Sequence, residues 1–150
     1  MAIISEEQRK QALAVRLPPF SVEIDKSMVR RVAEAVGDDS PLWQDDAEAR
    51  KGPNKGMVAS PALLHGIYFC GPRPTLPFNV PLKRVLDGGS EWEYSTPIRP
   101  GDVLTANTRI VDLVEREGSA GSLLFVVRET QWTNQKGQLV AKMKATTILR

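Results

Sequence analysis

Apolar and polar positions fall into two regimes along this chain: helical spacing up to about residue 70, and two-residue alternation from about residue 82 onward. Ser5-Glu6-Glu7-Gln8 has the form of a capping box with an acidic first turn, which predicts a short helix over roughly 5–15. Leu17-Pro18-Pro19 ends it, and Phe20 to Ile24 alternates as a strand does. Asp25 then caps a second helix, with Met28, Val29, Val32, Ala33 and Val36 on one face and Lys26, Arg30, Arg31 and Glu34 off it. Gly37 closes that helix. Ser40-Pro41 starts a brief helical turn through Leu42 and Trp43, continued or restarted near Asp45, and Lys51 to Lys55 is a turn-rich loop.

The next segment organises the rest. Ser60 is a good N-cap, Pro61 suits the first helical position, and Ala62 to Cys70 is apolar nearly throughout. Gly71-Pro72 stops it. A helix apolar on almost every side is expected to be buried. A proline-rich crossing loop follows, from Arg73 to Pro81, and then come strands. Trp92 and Tyr94 alternate with Glu91 and Glu93. Leu104, Ala106, Thr108 and Ile110 alternate with Thr105, Asn107 and Arg109, and Leu139, Ala141, Met143 and Ala145 with Val140, Lys142 and Lys144. Leu123 to Thr133 is a long strand with a less clean alternation. Arg99 to Asp102 and Asn134 to Gly137 are the turns, the second with Gly137 at positive φ. The simplest architecture is α+β, one buried helix wrapped by an antiparallel sheet with one covered face.

Composition narrows the function classes. At 150 residues, 41% hydrophobic and 25% charged, the chain suits one domain with a real core. Twenty basic and 18 acidic side chains are interspersed, for a net charge of +2, which argues against a nucleic-acid or membrane-surface partner. One cysteine and one histidine leave neither a disulfide framework nor a zinc site. The first residues carry no basic-then-apolar signal pattern and no run reaches a membrane span, so a cytoplasmic location is expected.

The motif Gly37-Asp38-Asp39-Ser40-Pro41-Leu42-Trp43-Gln44-Asp45 resembles the signature of MaoC-like (R)-specific enoyl-thioester hydratases, Gly-Asp-x-Asn-Pro-x-His-x-Asp. The strings Glu91-Trp92-Glu93-Tyr94, Pro97 to Asp102 and Thr133 to Gly137 resemble the N-terminal, often non-catalytic, MaoC-type dehydratase domain. The resemblance spans roughly residues 18–149 and implies the hotdog fold, an acyl thioester of coenzyme A or acyl carrier protein as substrate, and pairing with a second hotdog domain. It implies no metal and no redox cofactor, because hydration needs only acid/base groups and an oxyanion site. In active members the Asp and His of the signature share one water. Here Asp38 keeps the first position, Trp43 takes the second and cannot exchange a proton, and Ser40 replaces the asparagine. The family's oxyanion donor is a backbone N–H at the start of the buried helix; Ser60-Pro61 falls there, and Pro61 has no N–H to give. Trp43, Ser60, Pro61 and Ala62 are the expected substrate-binding positions.

Two residues are candidates for catalysis. Asp38 is the retained aspartate, although a carboxylate before Ser-Pro also serves as a plain cap. His65, the sole histidine, lies on the buried helix, where a hydrogen-bonded core role is the blander reading. Cys70 suits packing better than nucleophilic work. Lys51, Lys55 and Arg73 could meet coenzyme A phosphates or form a solvated face. The expected function is the catalytically incomplete subunit of a hetero-oligomeric hydratase, shaping the acyl pocket for a catalytic MaoC-type partner. The alternatives are a self-sufficient homodimeric dehydratase or hydratase using Asp38, a hotdog acyl-CoA thioesterase, and an acyl-thioester-binding protein without chemistry.

Overall fold

A capping box forms at Ser5 as the sequence requires: Ser5 Oγ accepts from Gln8 N–H at 3.1 Å, and Gln8 Oε1 accepts from Ser5 N–H at 2.9 Å. It starts the first element of the computed structural model, which describes residues 2–118 and 121–150. The helices are α1 (Glu6–Ala14), α2 (Lys26–Ala35), α3 (Pro41–Gln44), α4 (Asp46–Lys51) and α5 (Ala62–Tyr68). The strands are β1 (Phe20–Glu23), β2 (Val85–Tyr94), β3 (Val103–Gly118), β4 (Gly121–Thr133) and β5 (Leu139–Leu149). They form one sheet in the order β1-β3-β4-β5-β2, antiparallel throughout. No helix among the described residues is long and apolar enough to cross a membrane.

The sheet's inner face curves around α5. Leu63, Leu64 and Ile67 of α5 pack with Leu104, Ala106, Trp132 and Ala141 of the sheet, and Val29 of α2 closes this main core. A second, smaller core lies further along the strands, where Ile4 and Ala12 meet Ile110, Leu113, Leu124 and Val126 under Leu76, Phe78, Val80 and Leu82 of the proline-rich loop.

Three bulges set which side chains face inward. Val111 has no partner between Ile110↔Arg128 and Asp112↔Val127, so the alternation shifts by one and both Ile110 and Leu113 are buried. Val140 is likewise the extra residue between Thr133↔Leu139 and Trp132↔Ala141. Simple alternation puts Val140 on the face opposite Ala141, but the bulge turns both into the core. In β2, Gly88 and Gly89 together face a single residue of β5, Thr146. Gly89 sits at φ +90, and a Cβ on Gly88 would come within 2.9 Å of the Thr146 side chain, so both positions need glycine.

The sequence expectation for α5 needs correction. Only Leu63, Leu64 and Ile67 are buried, whereas His65, Gly66, Phe69 and Cys70 are exposed. The helix packs on the sheet with one stripe and leaves the other uncovered. Its cap also shifts: Pro61 is the N-cap rather than the first helical residue. Val36, expected on the buried face of α2, is 56% exposed because the helix ends before it. The turns at Arg99–Asp102 and Asn134–Gly137 form as expected, with Asp102 N–H donating to Arg99 O and Gly137 at φ +73.

Two outcomes follow. Leu64→Ala, at a fully buried position, is expected to lower the unfolding free energy by about 2–5 kcal/mol, read as a shift in urea midpoint. The Asp46 carboxylate accepts from Arg50 at 2.9 Å and from Met57 N–H at 3.4 Å, with Lys26 Nζ 3.5 Å away. These partners, the Arg50 hydrogen bond foremost, hold its pKa below the usual aspartate value. The unfolded chain therefore takes up the proton first as pH falls. The contribution of Asp46 is complete above the ordinary aspartate pKa of 3.8 and is lost as pH drops through the folded value. Thermal melts should show Asp46→Asn less stable than wild type at neutral pH, with the gap closing in acid.

Candidate functional site

The loop that carries Asp38 begins with a Schellman closure of α2. Gly37 at φ +71 donates its N–H to Glu34 O at 3.1 Å, and Asp38 N–H donates to Ala33 O at 2.9 Å. The Asp38 carboxylate turns back on its own chain, Oδ1 accepting from Ser40 N–H at 3.1 Å. Ser40 Oγ in turn accepts from Leu42 N–H at 3.4 Å and caps α3, with Pro41 in its first turn. Trp43 thereby enters the main core, half-buried, and its Nε1–H is buried with no hydrogen-bond partner among the described residues. Asp45 caps α4, accepting from Ala47 and Glu48 N–H, and Val58 N–H donates to Leu42 O. The segment before α5 is thus pinned to α3 on one side and, by Ala59 N–H to Ile98 O at 2.8 Å, to the β2–β3 connection on the other.

At the start of α5 the first two N–H groups turn back onto Ser60. Pro61 has none. Ala62 N–H donates to the buried Ser60 Oγ at 3.4 Å, and Leu63 N–H to Ser60 O at 3.0 Å. Pro61 O accepts from Tyr94 Oη at 2.8 Å, tying the helix cap to β2. Tyr94 stays open to solvent on one side, but partial burial raises its phenol pKa, so the hydroxyl keeps its proton for that bond. The alternation of β2 placed Tyr94 on the inner face but gave no sign that its hydroxyl has this role.

His65 is exposed on the uncovered stripe of α5, its ring 5.7 Å from Trp92 and 5.8 Å from Phe69. No hydrogen bond, ion pair or ring contact joins it to Asp38. The structure brings Ser60, Pro61 and Ala62 together with Tyr94, and leaves Asp38 and His65 in separate contact sets. Cys70 is exposed at the end of α5, its Sγ 3.8 Å from Gly66 O.

His65 borders a cleft of about 260 Å³ between α5 and the β2–β5 pair, lined also by Tyr68, Phe69, Arg73, Asp87 and Thr147. Arg73 lies 5.4 Å over the Phe69 ring and 5.9 Å from the Tyr68 ring. Of the three basic residues singled out in the sequence, Arg73 alone borders this cleft, while Lys51 pairs with Glu48 at 2.5 Å and Lys55 lies exposed in its turn at φ 53. Tyr68 and Arg128, close behind it, were not among the sequence candidates. The signal for Arg128 was the imperfect alternation of β4.

The family described as FAS1-like, dehydratase domain region, matches residues 11–143. Among curated proteins, the UPF0336 protein of Thermobifida fusca is 29% identical over 108 residues, covering 67% of this chain and 68% of its own. The 3-oxo-4,17-pregnadiene-20-carboxyl-CoA hydratase alpha subunit of Mycobacterium tuberculosis is 25% identical over 122 residues, 73% of this chain but 39% of that longer one. The fold resembles the MaoC-like dehydratase of Rhodospirillum rubrum, with TM-score 0.71, 20% identity and 93% of each chain covered. It also resembles the ChsH1–ChsH2 complex of Mycobacterium tuberculosis, with TM-score 0.76, 20% identity and coverage of 95% and 89%. With the family match spanning most of its length, and the sheet wrapped on α5 as in the hotdog fold, this chain belongs to the FAS1-like dehydratase-region family of MaoC-like dehydratases.

Proposed function

We propose that this chain is the catalytically incomplete half of a two-part enoyl-thioester hydratase, shaping the acyl pocket while a MaoC-type partner supplies the acid/base pair. The observation that carries the proposal is Trp43. It stands where the signature has its proton-carrying histidine, and its indole N–H donates to nothing among the described residues. Two further features support it. The α5 N–H groups of Ala62 and Leu63 are turned onto Ser60, and Pro61 has none, so these first positions of the helix are not free to donate to a thioester oxyanion. Asp38 spends Oδ1 on the backbone of its own turn.

The partner face is argued from exposure. β2 is a ten-residue edge strand, exposed at every position except Trp92. Val85 is 67% exposed, and the adjacent α5 stripe presents Phe69 at 57%. A long, unpaired edge invites another strand. β2 carries Asp87, Glu91 and Glu93 and no basic residue, and on one side Lys142 and Lys144 of β5 stand across from Glu93 and Glu91. A second copy would bring the same three acids to the shared seam, so a partner with a basic edge strand fits better than self-association. That the neighbouring ChsH1–ChsH2 and HadBC structures are complexes of unlike subunits supports the same reading.

A second reading, an active homodimer, is favoured only by Asp38, whose other carboxylate oxygen remains without a partner among the described residues. Loss of enoyl absorbance with trans-2-enoyl-CoA separates the two. The purified chain should give none alone and should raise the turnover of a MaoC-type catalytic subunit. Turnover by the chain alone, abolished by Asp38→Asn, would overturn the proposal. Val85→Lys, at a position 67% exposed, should leave the thermal melt unchanged and weaken association with the partner in sedimentation velocity.

A further inference from the structure

Alternation along β4 puts Leu124, Val126, Arg128, Thr130 and Trp132 on the inner face of the sheet, and all but Arg128 are buried. A guanidinium on the core side of a central strand must find partners. Arg128 Nε donates to Pro74 O at 2.8 Å and Nη1 to Thr147 Oγ1 at 2.8 Å. Both acceptors are neutral, and no carboxylate among the described residues pairs with it. Burial holds its pKa below the ordinary arginine value. This is a half-buried cation without a counter-ion among the described residues.

Thr147, which takes that hydrogen bond, lines the cleft between α5 and the β2–β5 pair. A hydroxyl that accepts from a guanidinium keeps its own proton to donate. Tyr68 lines the same cleft; its hydroxyl has no partner among the described residues and stays protonated, since burial raises its pKa despite Arg128 and Arg73 nearby. Arg73 adds a guanidinium that is in no ion pair among the described residues. Against these stands one acid, Asp87, whose Oδ1 already accepts from Gly89 N–H at 2.9 Å. At the cleft wall Arg73 faces Asp87, and Arg128 behind Thr147 adds a positive charge; Arg73, Tyr68 and Thr147 offer donors beside apolar walls at Phe69, Leu86 and Met143.

The geometry points to an acyl thioester whose acyl group ends in a carboxylate. The apolar walls take the chain, and the carboxylate meets Arg73, Tyr68 O–H and Thr147 O–H. Arg128 is a positioning residue, acting through Thr147. This rests on the acyl-thioester reading above. A cleft of about 260 Å³ is slightly under the ~300–1,000 Å³ of whole-ligand sites, so it suits the acyl part rather than the entire thioester. A coenzyme A phosphate has the same chemistry, but Arg128 lies on the core face of β4, at the depth of an acyl end rather than at a rim.

Calorimetric titration of the full chain tests this with medium-chain trans-2-enoyl thioesters ending in methyl or in carboxylate, each on coenzyme A and on phosphate-free pantetheine. The carboxylate-ended ligand should bind roughly tenfold tighter on both carriers, as a charge-assisted contact provides. Arg128→Met should abolish that preference. Tyr68→Phe, which keeps the packed ring, should reduce it without changing the methyl-ended affinity, so a merely structural effect is recognisable. Equal affinity for the two ends would overturn the inference, as would a preference seen on coenzyme A and lost on pantetheine. Failure of every thioester to bind would instead overturn the acyl-thioester reading itself.

Discussion

A helix of 7 residues has to cover the hollow of a sheet whose longest strand has 16. At 1.5 Å per helical residue and about 3.3 Å per strand residue, that is roughly 10 Å of helix against about 50 Å of strand. Much of the organisation follows from this mismatch. α5 and α2 fill one end of the inner face, and α1 with the loop from Leu76 to Leu82 fills the other. Between the two covers, the inner face turns polar. Thr108 and Thr130 share a hydroxyl hydrogen bond at 2.9 Å, and Arg128 and Thr147 stand beside them. The cleft lies over the Arg128 and Thr147 part of this belt, next to the β2 bulge that Gly88 and Gly89 make. Fixed backbone geometry thus sets where the cleft is and which chemistry borders it.

The same constraint leaves the molecule open on one side. α5 buries a single stripe and shows His65 and Phe69 to solvent, while β2 leaves its outer backbone edge unpaired. Both uncovered surfaces meet at the cleft, so a strand added to β2 would also roof it. Pocket and partner are then one problem: under the proposed division of labour, this chain sets what the complete site will accept. The closed start of α5 agrees with this division. Tyr94 ties down the cap through the Pro61 carbonyl, and Ser60 occupies the Ala62 N–H that an oxyanion site would need free.

The element order was largely legible in the sequence, because caps and alternation are local: Ser5, Asp25 and Asn134 make the bonds that their side chains suggest. What alternation could not show is where it breaks. Val111, Val140 and the Gly88-Gly89 pair each shift a register, and only the facing strand reveals it. The burial of α5 was overestimated because an all-apolar helix has the same sequence whether its second face meets its own chain or lies open. The cleft was missed for a related reason. Tyr68, Arg128 and Thr147 come from three elements, and only the pairing of β4 with β5 brings the last two together.

Amide hydrogen exchange of β2, with and without a MaoC-type catalytic subunit, tests the incompleteness of this chain most directly. Alone, the amides on the outer edge of Val85–Tyr94 should exchange rapidly, while those bonded to β5 are protected. With the catalytic subunit present, the outer set should slow together with the exposed end of α5. Outer amides already protected in the isolated chain, and unchanged on adding the subunit, would mean that this protein is complete by itself.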